Sequence, residues 1–159
     1  MQDHSLQVSK EMDQTPVISV VFPVFNEAEN IKPMYDRISS TMASMAVTYE
    51  LLFVDDGSHD ESLEIIKTLV TQDQNVRFVS LSRNFGHQPA LAAGLAYAKG
   101  QAVISMDVDL QHPPALIPEM IRLWKKGYDV VYTSKRSYST LSASRQVVIR
   151  LAYWLLTKF

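Results

Sequence analysis

Short apolar runs, many of them β-branched, alternate with longer amphipathic stretches along most of this sequence. The runs predict strands at residues 17–22, 49–54, 76–81, 102–106 and 129–133. The stretches predict helices at residues 27–44, 61–71, 89–99, 114–126 and 142–158. Strands separated by helices of this length form right-handed βαβ units. The sequence therefore predicts an α/β fold in which a mostly parallel, doubly wound sheet is flanked by helices.

The chain has the size and composition of one domain. It contains 159 residues, of which 47% are apolar and 20% charged, enough to bury a core. Residues 1–15 are polar and are expected to form a flexible leader, so the domain is assigned to residues 16–159. No run of 18 apolar residues occurs, so no transmembrane segment is predicted. The absence of cysteine excludes disulfides, thiol nucleophiles and Cys-ligated metals.

Charge is distributed unevenly along the chain. Residues 1–129 contain 10 basic and 17 acidic side chains, whereas residues 130–159 contain five basic and no acidic ones. The net charge of −2 argues against nucleic acid as a partner. An acidic body suits a metal ion, and a basic tail suits phosphates or an anionic surface.

Polar residues follow each of the five predicted strands. The carboxyl ends of parallel strands share one edge of a sheet, and ligands bind at that edge in doubly wound folds. We therefore expect these polar clusters to form one site. They lie at residues 23–27, 55–58, 82–88, 107–111 and 135–136.

Asp107 and Asp109 are the strongest candidates for chemistry. In an extended segment their carboxylates point to the same side, roughly 6–7 Å apart. Facing carboxylates repel each other unless a cation intervenes, and Mg²⁺ or Mn²⁺ can bind there and keep positions open for phosphate oxygens. The amide oxygen of Gln111 is a further hard ligand. The alternative is that Asp109 caps the next helix and Asp107 is a solvated loop residue.

Two clusters can recognise a nucleotide. Asp56 can accept hydrogen bonds from a base or a ribose, and Gly57 lets the backbone approach; the alternative is that this segment only starts a helix. Phe25 can stack on a base that Glu27 or Asn26 hydrogen-bonds, although Asn26 is equally suited to cap a helix.

Basic residues in the later clusters suit phosphate groups. Arg83 can bind a phosphate or a carboxylate, and His87 can bind a hydroxyl or a phosphate. The alternative for Arg83 is an ion pair with an aspartate that only shapes the site. Lys135, Arg136 and Arg145 can hold a pyrophosphate or a phosphate acceptor, or can simply form a solvated basic surface.

Four motifs that occur in order along the chain give it a family resemblance. They are Pro-Val-Phe-Asn-Glu, Asp-Asp-Gly-Ser, Ser-Arg-Asn-Phe-Gly-His-Gln and Asp-Val-Asp-Leu-Gln-His-Pro-Pro. It resembles the family 2 inverting glycosyltransferases, which have a GT-A fold with a Rossmann-like sheet. Within that family it is similar to the polyprenyl-phosphate enzymes, which include dolichol-phosphate mannosyltransferases and bactoprenol glucosyltransferases. Relatives continue further, so the resemblance implies a catalytic domain that is incomplete at its C-terminus.

The resemblance assigns roles to individual positions. Those that line the nucleotide base are Pro23, Phe25, Glu27, Val54 and Asp56. Asp107 lies next to the ribose and diphosphate. Asp107 and Asp109 are the implied catalytic residues and, together with Gln111, the implied metal ligands. Lys135 stands where the family often has an Arg that contacts the diphosphate, and Lys lacks the bidentate fork of Arg. Arg136 lies beside it, and Arg145 matches the residue presented to the lipid phosphate.

The implied reaction is transfer of a hexose, with inversion, from UDP-glucose to undecaprenyl or another polyprenyl phosphate, dependent on Mg²⁺ or Mn²⁺. The alternatives are a GDP-mannose-dependent enzyme of the dolichol-phosphate type and a non-catalytic nucleotide-sugar-binding module. Residues 147–159 have apolar side chains near helical spacing and basic residues among them, which suits the cytoplasmic surface of a membrane or packing onto the sheet. A homo-oligomer is also left open.

Overall fold

Strands and helices alternate through the computed structural model, which describes residues 16–133 and the backbone of one short strand before them. The strands are β1 (Gln7–Val8), β2 (Ile18–Val24), β3 (Tyr49–Asp55), β4 (Val76–Ser80) and β5 (Ala102–Ser105). The helices are α1 (Ala28–Ala43), α2 (Ser62–Gln72), α3 (His87–Tyr97) and α4 (Ile117–Lys125), the last preceded by a 3₁₀ turn at Pro114–Leu116.

The described strands form one sheet in the order β1-β4-β3-β2-β5. β2 pairs in parallel with β3 and β5, β3 pairs in parallel with β4, and β1 is antiparallel to β4. The chain runs outward from β2 through β3 to β4, and then crosses back to β5 on the other side of β2. This reversal of direction next to β2 is the topological switch point at which doubly wound folds bind ligands. The predicted α/β fold is confirmed.

Alternate residues of the central strands enter two apolar layers, as the period of a strand requires. Val20, Phe22 and Phe53 pack under α1, α2 and α4, with the two phenylalanine rings stacked 4.9 Å apart. Val21 and Leu52 point the other way and pack with Ala90 of α3. The continuously buried strands are those expected of a parallel sheet covered on both faces.

A buried ion pair lies near the amino ends of the strands. Glu50, which is 0% exposed, accepts hydrogen bonds from Arg77 Nη1 at 2.5 Å and from the backbone N–H of Lys99 at 2.6 Å. The hydroxyl of Ser19 also donates to Glu50 and accepts a bond from the N–H of Gly100 at 2.8 Å. These bonds fasten the end of α3 to β2, β3 and β4.

Two predictions about the elements need correction. The structure has no strand at residues 129–133, where Val130 and Tyr132 are 79% and 81% exposed. An apolar, β-branched run becomes a strand only when it pairs with a neighbour, which composition does not reveal. Helix α3 begins at His87, two residues before the predicted start. Pro89 lies in its first turn, where the missing N–H costs nothing.

Other predictions lie partly outside the described residues. The short strand β1 falls within the expected leader, and the rest of residues 1–15 is outside the described part. The predicted helix at residues 142–158 is also outside it. Among the described helices, none is both long and apolar enough to cross a membrane.

Candidate functional site

A cavity of about 300 Å³ opens at the carboxyl ends of β2 and β5, at the switch point of the sheet. The loops after β2, β3, β4 and β5 all contribute to it. Its lining residues are Pro23, Val24, Phe25, Glu27, Asp56, Asn84, Gly86, His87, Asp107, Val108 and Asp109. Four of the predicted polar clusters therefore meet in one place, as expected from the parallel sheet.

The loops after β2 and β3 are fastened to each other at one end of the cavity. The side-chain oxygen of Asn26 accepts the N–H of His59 at 2.8 Å, and the backbone N–H of Asn26 donates to Ser58 Oγ at 3.0 Å. The N–H of Glu27 donates to Ser62 Oγ at 2.9 Å. Asn26 thus connects two loops instead of facing a ligand. Phe25 packs edge-on against the ring of His59, 6.3 Å between centroids, and is 39% exposed at the cavity, so its ring can still stack on a planar group.

Asp60 belongs to the same junction. Its carboxylate accepts the N–H groups of Ala28 at 3.1 Å and Ser62 at 3.0 Å. Burial acts to raise the pKa of Asp60, but the hydrogen bonds from Ser62 and Ala28 outweigh it and leave this pKa below its ordinary value of 3.8.

Asp56 joins the loop after β3 to the loop after β4. It is 2% exposed, and its two carboxylate oxygens accept the N–H groups of Phe85 and Gly86, each at 2.8 Å. Gly57 has a φ of +68°, and a Cβ there would lie 2.5 Å from the carbonyl carbon of Arg83. Asp56 therefore organises the cavity wall, and its role toward a base stays a prediction.

The acidic end of the cavity is formed by the segment after β5. Asp107 Oδ1 lies 3.1 Å from Nε2 of His87, and Asp107 Oδ2 lies 3.7 Å from Nδ1 of His112. Asp109 Oδ1 accepts the N–H of Gln111 at 3.0 Å. Between them Leu110 adopts a φ of +63°, a left-handed conformation that is strained for a bulky residue.

The charges of this cavity decide what can bind in it. Four carboxylates line it, those of Glu27, Asp56, Asp107 and Asp109, and none of its lining residues in the described region is Lys or Arg. A diphosphate would be repelled here unless a cation came with it. The donor set suits Mg²⁺ or Mn²⁺, which favour one or two carboxylates completed by phosphate oxygens and water. Within residues 16–133 no three His, Asp or Glu side chains are grouped to hold a metal by themselves.

Three predicted site residues lie elsewhere in the described region. Val54 is completely buried in the layer beneath α3, and its side chain does not line the cavity. Gln111 is exposed, and only its backbone N–H bonds to Asp109. The guanidinium of Arg83 lies over the ring of Phe85, 4.7 Å from its centre, and does not line the cavity either.

Other residues complete the comparison with the sequence analysis. Lys135, Arg136 and Arg145 lie outside the described residues. Asn84 and His112 were not selected from the sequence, although the first lies in a predicted polar cluster and the second follows Asp107 by five positions. Their positions depend on how the loops fold, which the spacing of residues in the sequence does not specify.

A doubly wound α/β domain with an acid-lined cavity at its switch point is the architecture of GT-A glycosyltransferases. Residues 19–158 match the family described as Glycosyl transferase family 2. The chain belongs to this family.

Similar proteins agree with this assignment. The chain is 50% identical over 114 residues to an uncharacterized glycosyltransferase of Bacillus subtilis, YkcC, covering 72% of this chain and 35% of that one. It is 43% identical over 123 residues to the bactoprenol glucosyl transferase of Shigella phage SfV, covering 77% of this chain and 40% of the relative. The chain thus spans less than half the length of these relatives.

A solved structure with the same fold is that of glucosyl-3-phosphoglycerate synthase from Mycobacterium tuberculosis, in complex with Mn²⁺, UDP and glucosyl-3-phosphoglycerate. The match has a TM-score of 0.56 and 24% identity, and it covers 85% of this chain and 50% of that chain. This likeness supports the GT-A fold.

Proposed function

We propose that this chain is the donor-binding part of an inverting glycosyltransferase that moves glucose from UDP-glucose to a polyprenyl phosphate. The observation that carries the proposal is the cavity at the switch point, whose lining includes an exposed Phe25 and the carboxylates of Asp107 and Asp109. Its volume of about 300 Å³ lies at the lower end of the range for small-molecule sites. The phage relative, named a bactoprenol glucosyl transferase, supports the lipid phosphate as the acceptor.

Mg²⁺ or Mn²⁺ is the proposed cofactor. Asp107 and Asp109 would hold it, because they are the carboxylates at the acidic end of the cavity. The bound ion would neutralise charge on the diphosphate leaving group. Lys135, Arg136 and Arg145 are proposed to supply further positive charge to the diphosphate and to the lipid phosphate, as their basic character allows.

The chemistry requires little from the protein beyond alignment and charge. An oxygen of the lipid phosphate attacks the anomeric carbon from the side opposite the donor phosphate. The new C–O bond forms as the bond to the diphosphate breaks, and UDP leaves with the electron pair. Since the acceptor is already an anion at pH 7, no proton has to be removed from it. In-line displacement inverts the configuration at the sugar.

The site is proposed to act at the cytoplasmic surface of a membrane, where a polyprenyl phosphate would be presented. Residues 147–159 are the proposed contact, because they combine apolar side chains near helical spacing with Arg150 and Lys158. GDP-mannose remains the alternative donor, and a binding module without turnover remains the alternative function.

The test is a transfer assay with the chain, UDP-glucose, Mn²⁺ and undecaprenyl phosphate in detergent. We expect a glucosyl lipid by mass spectrometry, with the β-configuration by NMR, and no product when EDTA replaces Mn²⁺. Asp109→Asn should abolish the metal dependence of donor binding, measured by calorimetry. Donor binding without turnover would support the binding module, and product formed only from GDP-mannose would select the alternative donor.

A further inference from the structure

His87 lines the cavity and lies within hydrogen-bond distance of one of its carboxylates. It is the first residue of α3, its side chain is 54% exposed, and its ring lines the cavity. Its Nε2 atom lies 3.1 Å from Oδ1 of Asp107, which comes from a different strand connection 20 residues later. An ionised carboxylate only accepts hydrogen bonds, so this geometry requires Nε2 to donate.

The backbone that carries His87 is held firmly. The two residues before it, Phe85 and Gly86, donate their N–H groups to the buried carboxylate of Asp56. Gly86 has a φ of +99°, which turns the chain into α3, and Ala90 N–H returns to the Gly86 carbonyl at 3.2 Å. Asp56 thereby fixes the start of α3, and with it the place from which the imidazole reaches Asp107.

We propose that His87 is a positioning residue that orients the carboxylate of Asp107 for the diphosphate end of the donor. This inference rests on the proposed function and names a residue that acts through Asp107 and not on the sugar. Ligand carboxylates in metal sites are commonly held by such outer hydrogen bonds, whose loss costs about 10–100-fold in metal affinity.

His112 provides an internal comparison. Its Nδ1 lies 3.7 Å from the other oxygen of Asp107, beyond hydrogen-bond distance. It comes from the same loop as Asp107, whereas His87 comes from the start of α3, after β4. His87 is therefore the residue that fixes Asp107 relative to the rest of the site.

The contact can be tested on the full chain without any donor. Imidazole ¹⁵N spectra report which ring nitrogens carry a proton. We expect His87 to carry its proton on Nε2, and we expect Asp107→Asn to shift the His87 signals while His59 stays unchanged. An Nε2 of His87 that carries no proton, or His87 signals that do not change on Asp107→Asn, would overturn the proposal.

The role of the contact is tested by binding. His87→Ala should weaken Mn²⁺-dependent UDP binding about tenfold or more. His87→Gln, which keeps an N–H donor, should retain much of the affinity that His87→Ala loses. His112→Ala should have a smaller effect. In an Asp107→Asn background, His87→Ala should change the affinity less than about twofold, because the partner is already gone. If His87→Ala lowers the affinity by the same factor in the wild-type and Asp107→Asn backgrounds, His87 does not act through Asp107 and the proposal is refuted. A wild-type chain that binds no nucleotide would instead refute the proposed function, and the ¹⁵N spectra would then test the contact by themselves.

Discussion

Replacement of Gly57 by alanine tests how closely the cavity loops must approach each other. A Cβ at Gly57 would lie 2.5 Å from the carbonyl carbon of Arg83 and 2.7 Å from the backbone N of Asn84. To reach an ordinary contact of at least 3.4 Å, the loop after β4 would have to move by about 0.9 Å. That loop is bonded to Asp56, so the shift would disturb the wall of the cavity.

The magnitude follows from two separate costs. Alanine in a left-handed conformation costs roughly 1–2 kcal/mol of stability, or about 2–8 °C in Tm for a chain of this size. A displacement of about 1 Å in a positioning element can cost on the order of 100-fold in function. We therefore expect Gly57→Ala to lower Tm by more than the backbone strain alone would. We also expect it to weaken Mn²⁺-dependent UDP binding by about ten- to a hundredfold.

Gly127→Ala is the matched control. Gly127 also has a positive φ, +94°, but a Cβ there would have nothing within 4 Å. It should therefore show the strain cost in thermal unfolding and bind UDP like the wild type in calorimetry. If folded Gly57→Ala binds UDP within about threefold of the Gly127→Ala variant, the close approach of the two loops does not matter for the site and the reasoning fails.

Three further predictions concern the buried pair, the loop junction and the cavity wall. Arg77→Met should lower the free energy of unfolding by about 3–5 kcal/mol in urea titrations, because it leaves Glu50 buried without its ion pair. Adding Glu50→Leu should recover most of this loss, and a double variant as unstable as Arg77→Met would contradict the prediction. Because the pKa of Asp60 is lowered in the folded state, its contribution to stability is present above pH 3.8 and is lost as the pH falls through the lower folded value. Asp60→Asn should therefore flatten the acid side of the Tm profile, and an unchanged profile would refute the assignment. Asp56→Ala should weaken the Mn²⁺-dependent binding of both UDP and UDP-glucose, and unaltered affinity in calorimetry would remove Asp56 from the site.

Much of the fold could be predicted because its signals are local. The buried strands β2, β3 and β4 read as nearly continuous apolar runs, and each ends within two residues of its predicted boundary. The run at residues 129–133, which is not a strand, has a similar composition, but it pairs with no strand in the described part of the chain. Pairing is a long-range property, so composition alone does not decide it.

The site could be predicted as a group of loops but not atom by atom. Parallel topology brings the ends of the strands together, and so Asp56, Asp107 and Asp109 were found from position alone. Which way each side chain points depends on local turns. The left-handed Leu110 and the loop bonds of Asp56 are examples, and the role of Gln111 as a metal ligand stays a prediction.

The central claim is a metal-dependent nucleotide site, and thermal unfolding of the chain tests it most directly. UDP, UDP-glucose, GDP and GDP-mannose would each be added with and without Mn²⁺. Ligand at a hundred times its dissociation constant stabilises a protein by about 2.7 kcal/mol, which corresponds to roughly 5–11 °C here. We predict such a rise with the uridine nucleotides only when Mn²⁺ is present. A folded chain whose Tm does not change with any of the four nucleotides, or rises equally without Mn²⁺, would contradict the claim of a metal-dependent nucleotide site.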